Sequence, residues 1–377
     1  MQENVIYVGV DVDDNSFHVT ALMPETGEVI ETKTKPNLKG LVNKLEDFKK
    51  KFPNHALKIC YEATYIGFTL QRDLASKGYD CVVVAPSSIP RVHGNQVKTD
   101  RVDAGKLAQF LSAGILTFVS VPDKETESDR DLLRSRQFML HQLAEVRTHI
   151  QSLLRRNGIH YKSETKNISH WTKHHLSWLD TKADEAVGSF KQNLKLLVQQ
   201  MKWLNHSLSE YGKAVDELAT TEKYKKQVSA LVCYKGIKNI FAMVMITEIG
   251  NVKRFAHPRQ LVSWMGMDVR EYSSGGKSHR FGITGHGNRY LRTAFVEANQ
   301  RAIGGTRLSD DLKQRRKNID PDLIHIAATT GFVCRRLGPT CSNSCCLGKR
   351  TGQFRGLAAR YWQYRGFCVC ADVYRLS

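Results

Sequence analysis

No apolar run in this 377-residue chain approaches the roughly 18 residues that a membrane-spanning helix needs. The opening Met1-Gln2-Glu3-Asn4 has no charged block followed by an apolar one, so a secretory signal is not expected and a cytoplasmic location is. Acidic residues are scarce. Asp and Glu number 37 against 56 Lys and Arg, a formal net charge of +19. Such a field disfavours basic partners and draws in polyanions. The scarcity is sharpest between Ser273 and Val296, where no acidic residue occurs. Cysteine is nearly missing from the body of the chain: Cys60, Cys81 and Cys233 stand singly in apolar runs, as small buried hydrophobes do. The other six crowd between Cys334 and Cys370 without a clean zinc spacing, and no His follows His325.

Against that basic background, four carboxylates stand out. Asp11 closes the apolar run Ile6-Tyr7-Val8-Gly9-Val10, and Glu62 closes Leu57-Lys58-Ile59-Cys60-Tyr61. Asp100 and Asp103 share one face at the start of a helical pattern, in Lys98-Thr99-Asp100-Arg101-Val102-Asp103. Carboxylates at two strand ends and on one helix face can converge, and clustered carboxylates repel unless cations neutralise them. Hard oxygen ligands suit Mg²⁺ or Mn²⁺, and a pair of such ions about 4 Å apart serves phosphodiester chemistry. With the positive field, this makes nucleic acid the expected substrate.

The order of elements predicts an α/β domain over residues 1–120. Val5–Val12, Ser16–Met23 and Glu28–Lys35 read as strands, the last two joined by a turn at Glu25-Thr26-Gly27. Leu38–Lys51 reads as a helix, Leu57–Ala63 as a strand, Ile66–Gly78 as a helix and Cys81–Ala85 as a buried strand. Three opening strands followed by helix–strand alternation is the order of a ribonuclease-H-like fold. Over 121–225 the period changes. Leu132, Met139, Leu143, Val146, Ile150 and Leu153, then Leu194, Leu197, Met201, Leu204, Leu208, Tyr211, Val215 and Leu218, follow a heptad pattern that predicts a coiled-coil helical hairpin. Between these runs lie Trp171 and Trp178 with His170, His174 and His175 nearby, for which bases, a partner chain or, less readily, a metal would account.

A compact, mostly helical domain is expected over 226–305. It opens on Val232-Cys233-Tyr234-Lys235-Gly236-Ile237-Lys238, which reads as a helix-hairpin-helix turn or an ordinary helical hairpin. Glu271-Tyr272-Ser273-Ser274-Gly275-Gly276-Lys277 follows, in a stretch made loop-rich by Gly282, Gly285 and Gly287. Gly275 and Gly276 let the backbone approach a phosphate, and Lys277, Arg280, Arg289 and Arg292 supply charge, as do Lys98 and Arg101 beside the acidic helix. A serine hydroxyl is a poor nucleophile unless activated or given a polarised target. The local pattern alone favours a turn that hydrogen-bonds a backbone phosphate.

In their joint order these passages resemble the insertion-sequence transposases that pair an N-terminal RuvC-like Asp-Glu-Asp-Asp domain with a C-terminal serine domain, the bridge-RNA-guided DNA recombinases. The matching residues are Tyr7-Val8-Gly9-Val10-Asp11-Val12, Cys60-Tyr61-Glu62-Ala63-Thr64, Lys98–Ala104, Arg254-Phe255, Pro258-Arg259-Gln260-Leu261, Glu271–Lys277, Gly282-Ile283-Thr284 and Gly287-Asn288-Arg289-Tyr290-Leu291-Arg292. The resemblance implies that Asp11, Glu62, Asp100 and Asp103 bind divalent metal, two ions of Mg²⁺ or Mn²⁺. It implies that Ser273, or its neighbour Ser274, attacks the scissile phosphate and holds DNA as a covalent phosphoserine. It further implies donor and target DNA and an element-encoded guide RNA as partners, a nucleoid-associated location, and a homo-oligomer, dimer or tetramer, assembled through the coiled coil.

Two departures from that pattern stand out. Asp13 and Asp14 follow Asp11, and Asp13 is expected to shape a turn or cap rather than add a ligand. Within 306–377, after about Arg336, helical periodicity gives way to Gly338-Pro339-Thr340-Cys341-Ser342-Asn343-Ser344-Cys345-Cys346, as a frameshifted translation would. The competing expectations are a RuvC-like nuclease that uses water and an inactive nucleic-acid-binding remnant.

Overall fold

A computed structural model describes residues 4–86, 89–90, 100–165, 169–275, 277–303, 308–325 and 327. Lys98, Gly276 and the cysteine-rich residues 334–370 lie outside these, as do the side chains of Asp100, Arg101, Lys277 and Arg280. The chain divides into two compact units, 1–122 and 123–377.

In the first unit, β1 (Asn4–Val12), β2 (Phe17–Met23) and β3 (Glu28–Thr34) form an antiparallel meander. Helix α1 (Leu38–Lys51) then leads to β4 (His55–Glu62), and α2 (Thr69–Ser76) to β5 (Asp80–Val84). Both returning strands run parallel to β1, giving the order β3-β2-β1-β4-β5. This matches the order expected of a ribonuclease-H-like domain. Asn37 starts α1 by accepting the Gly40 amide at 2.8 Å, the usual service of an Asn N-cap.

Alternation along the strands assigns the two faces of the sheet. Ile6, Val8, Val10 and Val12 of β1, with Ile59 and Tyr61 of β4, pack against Leu41, Leu45 and Phe48 of α1 and Leu70 and Leu74 of α2. The other face carries Tyr7, Cys60, Val82 and Val84 and is covered by Leu107 and Leu111 of α3 (Asp100–Ser112). Asp11 and Glu62, two residues beyond Gly9 and Cys60, belong to this α3 face.

The second unit opens on α4 (Lys124–Arg156), started by Asp123, whose carboxylate accepts the Thr126 amide at 2.8 Å. It ends at Arg156, with Asn157 as its C-cap. After the short α5 (Tyr161–Glu164) and α6 (Lys173–Glu185), α7 (Gly188–Ala219) returns along α4. Leu143, Val146, Ile150 and Leu153 meet Leu194, Val198, Met201 and Leu204 in one apolar cluster. Helices α8 (Lys225–Val232), α9 (Asn239–Ile249), α10 (Pro258–Trp264), α11 (Arg289–Ile303) and α12 (Asp310–Arg315) follow. The glycine-rich segment read as loop is a hairpin, β6 (Val269–Ser274) and β7 (Lys277–Ile283). Among the described residues no helix is long and apolar enough to cross a membrane.

Candidate active site

The acidic site is built on a close approach between α3 and β1. A Cβ placed on Gly9 would lie 2.1 Å from the Ala104 carbonyl oxygen and 2.6 Å from the Ala108 nitrogen. Only glycine lets the helix backbone press onto the strand there. The buried Cys60 thiol, on the neighbouring strand, reaches the Leu107 carbonyl at 3.6 Å. Helix α3 is thereby held two residues short of the carboxylate end of each strand, with Asp103 next to the contacting Ala104.

Gly9 registers with Cys60 and Val10 with Tyr61, and Asp11 and Glu62 are the residues that follow the last of these parallel pairs. Both are partly exposed, as is Asp103. The Asp103 carboxylate sits 3.3 Å from the Lys106 ammonium. Helix α3 begins at Asp100. Carboxylate oxygens are the donors that hard divalent ions take. Among the described residues no three His, Cys, Asp or Glu side chains stand close enough together to hold a metal ion; the Asp100 side chain is not among those described.

Two residues that the sequence did not single out stand at this site. His18 registers with Asp11 across the β1–β2 pair. Tyr65, exposed in the loop after β4, donates its hydroxyl to Asp14 at 2.7 Å. That hydrogen bond, with the negative charges of Asp14, Asp13 and Asp11, pushes the Tyr65 phenol up to about 12. Asp13 accepts from the Asn15 amide at 2.9 Å, so it shapes the β1–β2 turn, the role expected for it.

The serines stand at the tip of the β6–β7 hairpin, where Ser273 registers with Ser278 and Ser274 with Lys277, leaving two residues to join the strands. Both are exposed, and strand alternation sends them to opposite faces. Below the hairpin, Thr284 N–H donates to Asp268 C=O at 2.7 Å and Gly285 N–H to Gly266 C=O at 2.9 Å, which ties its exit to the end of α10. Arg292 is half-buried and donates to the Met265 carbonyl at 2.9 Å, whereas Arg289 is exposed over the Tyr290 ring at 5.0 Å. The turn between α8 and α9 is gripped from outside: Arg315 donates to the Val232 and Ile237 carbonyls, and Arg316 to that of Cys233.

Beneath α11 lies a buried acid that sequence reading passed over. Glu248, its side chain 2% exposed, takes two hydrogen bonds from the Arg134 guanidinium, at 2.7 and 2.9 Å, and a third from Asn288 at 2.7 Å. Asn288 also caps α11, accepting the Tyr290 and Leu291 amides at 3.0 and 3.1 Å. The signal was a lone Glu within the apolar run Ala242–Ile249.

Residues 229–313 match the family described as Transposase IS116/IS110/IS902, and residues 8–158 match the DEDD transposase family of IS110 elements. A putative transposase, y4qE, of Sinorhizobium fredii is 35% identical over 238 residues, 63% of this chain and 56% of the relative. The match thus spans little more than half of that relative's length. The transposase for insertion sequence element IS1533 of Leptospira borgpetersenii is 29% identical over 268 residues, 67% of this chain and 73% of its own. A second Sinorhizobium fredii putative transposase, y4rJ, is 24% identical over 359 residues, covering 88% of this chain and 90% of the relative.

Proposed function

From the matches of residues 8–158 and 229–313 to transposase families, we propose that the chain cuts and rejoins DNA strands through a serine–phosphate linkage. The observation that supports the reading is the docking of α3, the helix that carries Asp103, against Gly9, two residues before Asp11.

Asp11, Glu62, Asp103 and Asp100 would hold divalent cations. Bound there, the ions would offset charge developing on phosphate oxygens. The Ser273 oxygen attacks phosphorus, a serine O–P bond forms, the bond to the leaving DNA oxygen breaks, and that oxygen takes up a proton. Because the phosphoserine keeps the phosphodiester energy, a second DNA end can displace the serine and reseal the strand without ATP. The net charge of +19 and the acid-free stretch after Ser273 suit DNA as the substrate, with Lys98, Arg101, Lys277, Arg280, Arg289 and Arg292 available to the backbone. An element-encoded guide RNA would select sequence by base pairing while the protein holds its backbone. Association of copies through α4 and α7 would bring one copy's carboxylates to another's serine.

The test is a cleavage reaction in Mg²⁺ with element-end DNA, analysed for protein–DNA adducts that survive denaturation. An adduct that is lost in Ser273→Ala and kept in Ser274→Ala is expected. The reverse pattern moves the nucleophile to Ser274. Cut DNA with free ends and no adduct in either case would replace the proposal with water-driven hydrolysis at the carboxylates.

A further inference from the structure

The β6–β7 hairpin carries two rings that the strand chemistry leaves unused. Tyr272 is 66% exposed and Phe281 50% exposed. Tyr272 registers with His279 across the hairpin, and Phe281 follows His279 by two residues, so alternation gives the two rings one face. Beyond Arg280, β7 carries one residue more than β6, a bulge of the kind that re-aims a side chain. Ser274 shares the Tyr272 face, and Ser273 lies on the other.

Every residue from Arg270 to Gly275 is exposed, so among the described residues no layer covers either side of β6. A sheet of two strands is marginal in water and gains stability by packing against something. The bonds of Thr284 and Gly285 tie the base of the hairpin and leave its outer part open. Two rings set beside Ser274 and His279 offer little apolar surface for a protein partner, whose patches exceed a few hundred Å². They are what a nucleobase needs, because an aromatic face stacks on any base. The charge agrees. No acidic residue occurs between Ser273 and Val296, a stretch that holds Lys277, Arg280, Arg289 and Arg292. In a duplex each base is covered by its neighbours and presents only an edge, so exposed rings fit bases that have left their pairs.

We propose that Tyr272 and Phe281 stack on unpaired bases of DNA beside the phosphate that the hairpin serine attacks. The hairpin then takes a strand already opened at the cut, not an intact duplex. This rests on the proposed function for its partner, DNA, and for the serine attack. The rings make no bond to the reacting atoms; they hold the strand in place.

Full-length protein is titrated in EDTA, at one fixed salt concentration, with single-stranded dT12, with an abasic deoxyribose strand of the same length, and with the dA12–dT12 duplex. The ratio of affinities for based and abasic strands removes the backbone contribution common to both. Stacking on one ring gives roughly five-fold or more, so dT12 should bind about 25 times more tightly than the abasic strand. Tyr272→Leu and Phe281→Leu should each lower that ratio about five-fold. Tyr272→Phe, which keeps the ring, should leave it as it is. A strand carrying 5-iododeoxyuridine, irradiated on the protein, should crosslink to peptides that hold Tyr272 or Phe281. A ratio near one overturns the proposal, as does a ratio that neither leucine variant lowers, or tighter binding of the duplex. A ring-dependent ratio found with rU12 against an abasic RNA strand and not with dT12 also overturns it, and assigns the face to RNA. Self-association that the leucine variants abolish, with the base ratio unchanged, overturns it in favour of a second copy. Binding in EDTA needs neither metal nor serine attack, so loss of the covalent adduct leaves this result standing, and the reverse holds.

Discussion

Gly9 and Ala104 touch so closely that a single added methyl would sit 2.1 Å from a backbone oxygen. That oxygen belongs to a helix backbone, which cannot swing aside as a side chain would. Gly9→Ala must therefore lift α3. The expected cost is about 3 kcal/mol, the upper end of overpacking penalties. Divalent-metal-dependent DNA cleavage should fall with it, because Asp103 moves with the helix. Thermal unfolding and a cleavage assay on the same preparation check both. Unchanged melting would show that α3 docks by some other contact.

Cys60 reports on the same interface. Burial pushes its thiol up to about 12, and its sulfur faces the Leu107 carbonyl of α3. A thiolate is the reactive form, so native Cys60 should resist iodoacetamide at pH 8. In Gly9→Ala it should label readily. Site-resolved mass spectrometry distinguishes it from the cysteines beyond Cys334. Fast labelling of the unaltered protein would mean that α3 detaches readily in solution.

The Arg134–Glu248 pair is unequal in its surroundings, with side chains 40% and 2% exposed. Arg134→Met strands a carboxylate in the interior, with Asn288 as its remaining hydrogen-bond donor among the described residues and the Arg130 charge nearby. A loss of about 3 kcal/mol is expected, the low end for a broken buried pair because Arg134 is partly solvated. Glu248→Gln leaves a guanidinium that water can reach and should cost less. Urea denaturation of the two variants measures the difference, and equal losses would contradict this account.

His175 makes stability depend on pH. Burial, with the charges of His170 and Arg147, lowers its pKa from 6.5 to about 4. The unfolded chain therefore takes up this proton first as pH falls. The stabilisation is complete above about 6.5 and is lost progressively down to about 4, below which both states are protonated. At 1.36 kcal/mol per pH unit, the loss is up to roughly 3 kcal/mol. His175→Gln should flatten that part of the profile between pH 4 and 6.5. An unaltered slope in the variant would assign the acid sensitivity elsewhere.

The first unit was readable because its central strands are continuous apolar runs, as strands buried on both faces are. Val5–Val12 marked β1, Thr26-Gly27 marked the β2–β3 turn, and Asp11 and Glu62 stood out where apolar runs end. The role of Gly9 was not legible, since its constraint comes from Ala104, which only the fold brings near. Helix α4 starts earlier than its apolar period because Asp123 and Thr126 fix its first turn, a polar signal. Strand β7 was missed because the hairpin tip is exposed on both faces, so no apolar alternation marks it and its glycines read as loop. Glu248 was hidden for the opposite reason: its partners Arg134 and Asn288 are remote in the chain.

A ribbon whose side chains point alternately up and down turns counting into geometry. Because Ser273 and Ser274 occupy successive rungs of β6, inserting one residue between them and the tip, with the tip held in place, would trade which hydroxyl looks toward a given phosphate. Lineages differing by one residue here could thus keep the same reaction while passing the attacking oxygen from one serine to the next.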